Sequence, residues 1–275
     1  MRLRRLAWLL AGTVVLASCH PYAAHRQSSA PLRVMTYNIQ AGGGHLDSIA
    51  SVIRAADADI VALQEVDVHW QARSAFADQA ADLARALGMS VRFAPIYVLP
   101  GNPTANPARE YGVALLSRYP IVGFTNHEIT RLSTQTEQVA PTLMPGFLEA
   151  VVDVHGARVR VFNTHLDYRG DPAVRRAQVA ESLRIIGDAT SPVLMFGDFN
   201  ASPAATELRP LLERLHDAWR DVPDPGFTYP AIRPVRRIDY VLTSPHFRVL
   251  DTRVLDTQAS DHRPVVVSLR FVSLP

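Results

Sequence analysis

The chain has 275 residues, 48% of them hydrophobic and 20% charged, which is an ordinary globular composition long enough to bury a core without disulfides or a structural metal. All 28 basic residues are arginines, so a P-loop and lysine Schiff-base chemistry are excluded. The formal charge is +2, but without Arg2, Arg4 and Arg5 it becomes 25 arginines against 26 carboxylates, and this balance does not force a basic face for nucleic acid.

In chain order, the first predicted element is a targeting segment. Met1–Arg5 carries three arginines, and Leu6–Leu16 is an apolar run of 11 residues. Such a run is too short to span a bilayer as a helix and suits the core of a signal peptide. Leu16-Ala17-Ser18-Cys19 then resembles a bacterial lipobox, whose cysteine becomes the lipidated N-terminus. A plain secretory signal is the alternative. The lipobox resemblance implies a lipoprotein signal over 1–19, a membrane partner reached through the lipid on Cys19, and a cell-envelope location. His20 stands where an aspartate would favour inner-membrane retention, which points to the outer membrane in a Gram-negative source. Cys19 is the only cysteine, so the domain beyond it has no disulfide, cysteine nucleophile or cysteine-ligated zinc. Residues 20–31 are short, polar and proline-flanked and are expected to be a tether to one domain over 32–272.

Within that domain, short apolar or alternating runs predict strands over Leu32–Ile39, Ile60–Val66, Val91–Leu99, Tyr111–Leu116, Phe147–Val154, Val159–Asn163, Val193–Phe196, Arg237–Leu242, Phe247–Leu255 and Pro264–Val272. Helical spacing marks Asp47–Ala56, Ser74–Leu87 and Pro172–Gly187, with a shorter helix over Ala204–Leu215. Residues 100–110 and 131–146 are rich in Pro, Asn and Thr and are expected to be loops. Helices between some strands and bare turns between others predict a mixed α/β domain with much antiparallel sheet.

Polar residues gather at the ends of these strands. Val193–Asn200 runs from a buried-type strand into Gly-Asp-Phe-Asn, and on an extended chain Asp198 and Asn200 point the same way, able to orient a water and a phosphoryl oxygen. A β-turn is the alternative. Asp261 and His262 precede the last strand, where one could face a metal and the other a scissile phosphate. Asp239 lies inside an apolar strand and needs a partner; an imidazole would make a dyad, an arginine a salt bridge. Glu65 ends a buried-type strand, a position that suits Mg²⁺, which takes few protein oxygens. Thr36-Tyr37-Asn38 ends the first strand, and Asn163, His165 and Asp167 share one face if extended.

In order, the motifs around Tyr37-Asn38, Gln64-Glu65, Ser117–Ile121, Asn163–Asp167, Gly197–Asn200, Arg237–Tyr240 and Ser260–His262 resemble the endonuclease/exonuclease/phosphatase family, from Leu32 to about Val272. The resemblance implies a four-layer α/β/β/α sandwich of two mostly antiparallel sheets, DNase-like, with the site at one end. It implies a metal-dependent phosphoric ester hydrolase, most simply a phosphodiesterase using Mg²⁺, with Mn²⁺ as an alternative. Its partner is a phosphate-ester substrate; nucleic acid or phospholipid are candidates as substrate, and no obligate protein partner is read. The resemblance makes Glu65 the principal metal ligand with Asn38 beside it, and Asp261 a second ligand. It has Asp198 position or deprotonate the water, Asn200 contact phosphate or nucleophile, and His165 contact phosphate. His262, held by Asp239, would be a base or a charged stabiliser. Arg176 and Gln178 resemble a recurring R-x-Q that would bind substrate; an exposed helix face is the alternative. A non-catalytic envelope binding protein is the reading from another class.

Overall fold

The computed structural model describes residues 30–101, 107–137, 140–188 and 190–272; Cys19, the signal segment and nearly all of the tether lie outside them. The elements are β1 (Leu32–Asn38), α1 (Leu46–Ala56), β2 (Ile60–Val68), α2 (Gln79–Leu87), β3 (Ser90–Leu99), β4 (Arg109–Ser117), β5 (Ile121–Arg131), β6 (Thr142–Val154), β7 (Ala157–His165), α3 (Ala173–Ile186), β8 (Val193–Asp198), α4 (Arg209–Arg214), β9 (His216–Asp217), β10 (Asp239–Thr243), β11 (Phe247–Val254) and β12 (Val265–Phe271). One sheet has the order β11-β12-β1-β2-β4-β3, the other β5-β6-β7-β8-β10-β9. Only β1–β2 and β7–β8 pair in parallel among the described strands. Each of these pairs is joined by a helix, α1 or α3, because parallel strands need a crossover.

Alternation along the strands builds the layers. Val34, Ile60, Ala62, Val113 and Leu115 from the first sheet pack against Leu148, Val161, Leu194, Phe196 and Val241 from the second. The outer face of the first sheet, through Met35, Val61 and Leu63, covers Ile49 and Ile53 of α1 and Leu83 of α2. The outer face of the second, through Phe162, Met195 and Leu242, covers Val179 of α3 and Leu211 of α4. This is the four-layer sandwich the sequence predicts.

Local differences have local causes. The helix expected from Ser74 starts at Gln79, because Ala75 and Phe76 take left-handed backbone and the Asp78 side chain caps the Ala81 amide at 2.9 Å. The helix expected over 204–215 shortens to α4. Strand β5 is not predicted: at the sheet edge it buries only Ile129 and Arg131, so no alternating apolar face marks it. It pairs with β6, whose start at Thr142 falls within the region expected to be loop.

The sandwich places the site through the same alternation. Thr36 and Asn38 on β1, Gln64 on β2, Asn163 and His165 on β7 and Asp198 on β8 continue the inward-facing apolar positions of their strands. Asp239 begins antiparallel β10 directly opposite Asp198. The inward stripe thus turns from apolar to polar at one end of the sandwich.

Candidate active site

Two backbone features aim the acidic groups. Leu63 pairs with Ala114 and Val66 with Gly112, so Gln64 and Glu65 together oppose Val113 in a bulge. Glu65 sits there at φ 56°, a left-handed conformation costing roughly 1–2 kcal/mol for a residue with a Cβ. A Cβ on Gly112 would collide with the Ala94 carbonyl oxygen, so glycine lets β3 close against the bulged ladder. At the end of β8, a Cβ on Gly197 would strike the Thr164 carbonyl oxygen, which explains the glycine before Asp198.

Asn38 Nδ2 donates to Glu65 Oε1 at 3.0 Å and to Asp198 Oδ2 at 3.1 Å, joining two carboxylates with one amide. The same Asp198 oxygen lies 3.6 Å from His165 Nε2 and 3.6 Å from His262 Nε2. His262 Nδ1 lies 2.9 Å from Asp239 Oδ2, which is the imidazole partner of the two open at the sequence level. The arginine beside it, Arg237, instead pairs with buried Asp217 at 2.7 Å. The Tyr229 ring packs 4.7 Å from the His262 ring. These groups open into a cavity of about 440 Å³ whose lining includes Glu65, His165, Asp198, Asn200, Asp261 and His262.

Charge in this cavity is unbalanced. Burial raises the Asp198 carboxyl above its ordinary value, and the Asp239 carboxylate raises it further against the two histidines. Burial also raises Asp261, with Glu65 adding repulsion while His262 opposes. Burial resists charging His262, but Asp239, through charge and hydrogen bond, and Asp198 outweigh it and lift the imidazole to about 10. Neither Glu65 nor Asp261 forms an ion pair among the described residues, and Glu65 also raises the hydroxyl of Tyr111, after burial. Two unpaired, mutually repelling carboxylates beside an amide make an oxygen-rich donor set that fits a hard divalent cation such as Mg²⁺. Asp198, Asp239 and His262 also offer ligand atoms within 4.8 Å of one another, but the Asp239–His262 bond already uses one atom of each.

The structure brings Asn38, Glu65, His165, Asp198, Asp239, Asp261 and His262 together. Asn200 lies beyond the strand at φ 53°, not alongside Asp198 on an extended chain. It lines the cavity, while its Nδ2 donates to the Leu166 carbonyl and its backbone amide to Asp198 Oδ1. Gln178 lines the cavity and accepts the Asp167 amide at 2.9 Å. Arg176 is exposed and is not among the residues lining the cavity. Buried Arg175, three residues before Gln178 and on its helix face, pairs with Glu207 at 2.8 Å; i,i+3 spacing would have pointed to it.

Sequence reading also missed the cavity wall of Tyr97 and Tyr111 and did not place Arg131 in it. Arg131 is only 7% exposed and donates to the carbonyls of Pro145, Gly146 and His165. Without a carboxylate partner, burial pulls its guanidinium down to about 10. The signal was absent because it ends the strand that the sequence did not reveal.

Residues 35–262 match the Endonuclease/Exonuclease/phosphatase family. A crystal structure of an endonuclease/exonuclease/phosphatase from Beutenbergia cavernae is 30% identical, with TM-score 0.70, covering 88% of this chain and 72% of that one. A mannosyl-6-phosphatase of Bacteroides thetaiotaomicron shares the fold at 20% identity and TM-score 0.65, covering 87% of this chain and 100% of that one. The human Nocturnin catalytic domain does so at 22% and 0.64, covering 88% and 94%. Protein cwh43 of Schizosaccharomyces pombe is 28% identical over 149 residues, which is 54% of this chain but only 14% of that protein. With the site at the expected end of the expected sandwich, the chain belongs to the endonuclease/exonuclease/phosphatase family, whose members are phosphoester hydrolases.

Proposed function

We propose that the protein is a divalent-metal-dependent phosphodiesterase held at the cell envelope by a lipid on Cys19. The observation that carries the catalytic part is the convergence of His165 Nε2, His262 Nε2 and Asn38 Nδ2 on Asp198 Oδ2, beside the unpaired carboxylates Glu65 and Asp261. Glu65 and Asp261, with the Asn38 amide, would hold Mg²⁺ or Mn²⁺. Such an ion supplies charge stabilisation at phosphoryl oxygens. Asp198, its basicity raised by burial and by Asp239, accepts the proton of the attacking water. The water oxygen bonds to phosphorus as the bond from phosphorus to the leaving oxygen breaks; that oxygen takes a proton from solvent and Asp198 returns the one it accepted, giving an alcohol and a monoester. His262, held charged by Asp239, stabilises the oxygens on which negative charge develops, and His165 contacts the phosphate. Removing one such group costs about 10²–10⁴ in rate.

The envelope part is supported by the arginine-led apolar run Leu6–Leu16, the Leu-Ala-Ser-Cys that closes on Cys19, and a tether of 12 residues before the first strand. In a Gram-negative source, His20 in place of an aspartate supports the outer membrane over the inner.

The test is turnover of a chromogenic phosphodiester and a monoester with Mg²⁺, Mn²⁺ or EDTA. Metal-dependent cleavage of the diester is expected, lost in Glu65→Gln at unchanged melting temperature and lost in His262→Gln while that variant is still folded. Monoester preference would overturn the diester assignment, and full activity in EDTA the metal. Labelling of the chain by a fatty-acid analogue, abolished by Cys19→Ser, tests the anchor.

A further inference from the structure

A short hairpin forms one lip of the cavity. Tyr229 and Arg236 bridge across its base, and the Val235 and Arg236 amides both donate to the Tyr229 carbonyl at 3.0 Å. The hairpin is fixed to the catalytic segment rather than free. The Ala231 amide donates to the Asp261 carbonyl at 2.7 Å, Arg263 Nε to the Ala231 carbonyl at 2.8 Å, and the Arg263 amide to the Thr228 carbonyl at 2.8 Å. A scaffold this closely tied nevertheless turns its aliphatic side chains to water: Ile232 is 76% exposed and Val235 58%. Together they give the hairpin a small apolar edge that an apolar phase would receive favourably.

The hairpin itself carries charge of one sign, while at its foot Arg263 pairs with the exposed Asp256 carboxylate. No carboxylate occurs from Phe227 to Ile238, whereas Arg233 and Arg236 are exposed and form no ion pair among the described residues. Arg236 and Tyr229 both line the cavity mouth. Tyr168, 63% exposed, also lines that mouth, with the Arg169 guanidinium 5.1 Å from its ring centre. Arg169 itself pairs with Asp167, and the exposed Asp171 carboxylate accepts the Ala173 amide. Aliphatic tips flanked by unpaired arginines and a ring with a polar end match the layered chemistry of an anionic lipid surface. Nucleic acid would gain nothing from Ile232 and Val235, which cannot stack on bases.

We propose that the 229–236 hairpin is a membrane-contact lip that seats the cavity mouth on an anionic lipid surface, so that the phosphoester is taken from that surface. This deepens the hydrolase reading above and rests on it for the catalytic consequence. The contact itself can be read without turnover.

The test uses the full chain with Cys19→Ser, which leaves no other cysteine, and an environment-sensitive dye on Val235→Cys or on Asp188→Cys. Asp188 is 94% exposed and precedes β8, at the end of the sandwich away from Asp198. Phosphatidylcholine vesicles containing phosphatidylglycerol should shift emission to the blue at position 235 and not at 188, and pure phosphatidylcholine should do so less. Adding Ile232→Ser should raise the lipid needed for half the shift by roughly tenfold, the scale of withdrawing one buried aliphatic side chain. Arg233→Ser should weaken the preference for phosphatidylglycerol. No shift at 235, equal shifts at both positions, or a shift with a single-stranded oligonucleotide and not with vesicles would overturn the lip. Turnover of a soluble diester, measured in parallel, fails only if the hydrolase reading itself is wrong.

Discussion

Gln64 Nε2 donates to Asn163 Oδ1 at 2.7 Å, a buried side-chain bond that joins the two sheets directly behind Glu65. Asn163 Nδ2 donates to the carbonyls of Leu63 and Ala114, both at 2.9 Å, the residue pair at which the β2–β4 ladder breaks into the bulge. Gln64 also bonds Thr36 Oγ1 at 3.1 Å. The bulge that aims Glu65 is thus held from across the sandwich.

Asn163→Leu leaves Gln64 and two carbonyls short of a partner in a site with no exposure. A loss of about 1–3 kcal/mol in unfolding free energy is expected from urea titration. The same variant should need more Mg²⁺ for half-maximal activity, because Glu65 is no longer fixed. An unchanged metal requirement would leave the network with stability alone.

The left-handed backbone of Glu65 predicts an inverted order of stability. Glu65→Gly should be more stable than Glu65→Ala by about 1 kcal/mol, the reverse of their order in an ordinary strand. Equal midpoints in denaturant would show that the bulge relaxes when the carboxylate is removed.

His262 predicts the direction of pH dependence. Its folded-state value, about 10, exceeds the unfolded 6.5, so its contribution is full below pH 6.5 and is lost as pH rises to about 10. In EDTA, the stability advantage of wild type over His262→Gln should therefore shrink across that window. A difference that grows with pH would mean that the ring is held neutral.

The α3 helix offers a register test. Arg175→Met strands the Glu207 carboxylate in the interior, since Arg175 donates to it through Nε and Nη2. Breaking such a buried pair costs about 3–5 kcal/mol. Arg176→Ala, one residue on and exposed, should stay within about 0.5 kcal/mol. Melting temperatures for the two variants decide it; similar losses would contradict the burial of only one arginine.

Much of this protein was legible in one dimension. The alternating runs located ten strands, and β1 and β8 show why: each carries its apolar face up to the residue where Asn38 or Asp198 takes over. Period two makes that switch visible in sequence, because residues two apart share a face. Edge strand β5 was invisible for the same reason, since a strand that buries only two of its residues has no apolar face to repeat.

Burial enforces periodicity along a chain, so the order of residues alone reveals which strands carry polar ends and which residue types stand there. Tertiary structure alone decided the pairings: that Asp239 meets His262 rather than an arginine, that one Asp198 oxygen lies beside two imidazoles, and that Arg175 rather than Arg176 turns inward. It also decided that Arg131, at the end of an unpredicted strand, enters the cavity wall. Those contacts join residues tens of positions apart, and only the stacking of two sheets sets which strand ends coincide.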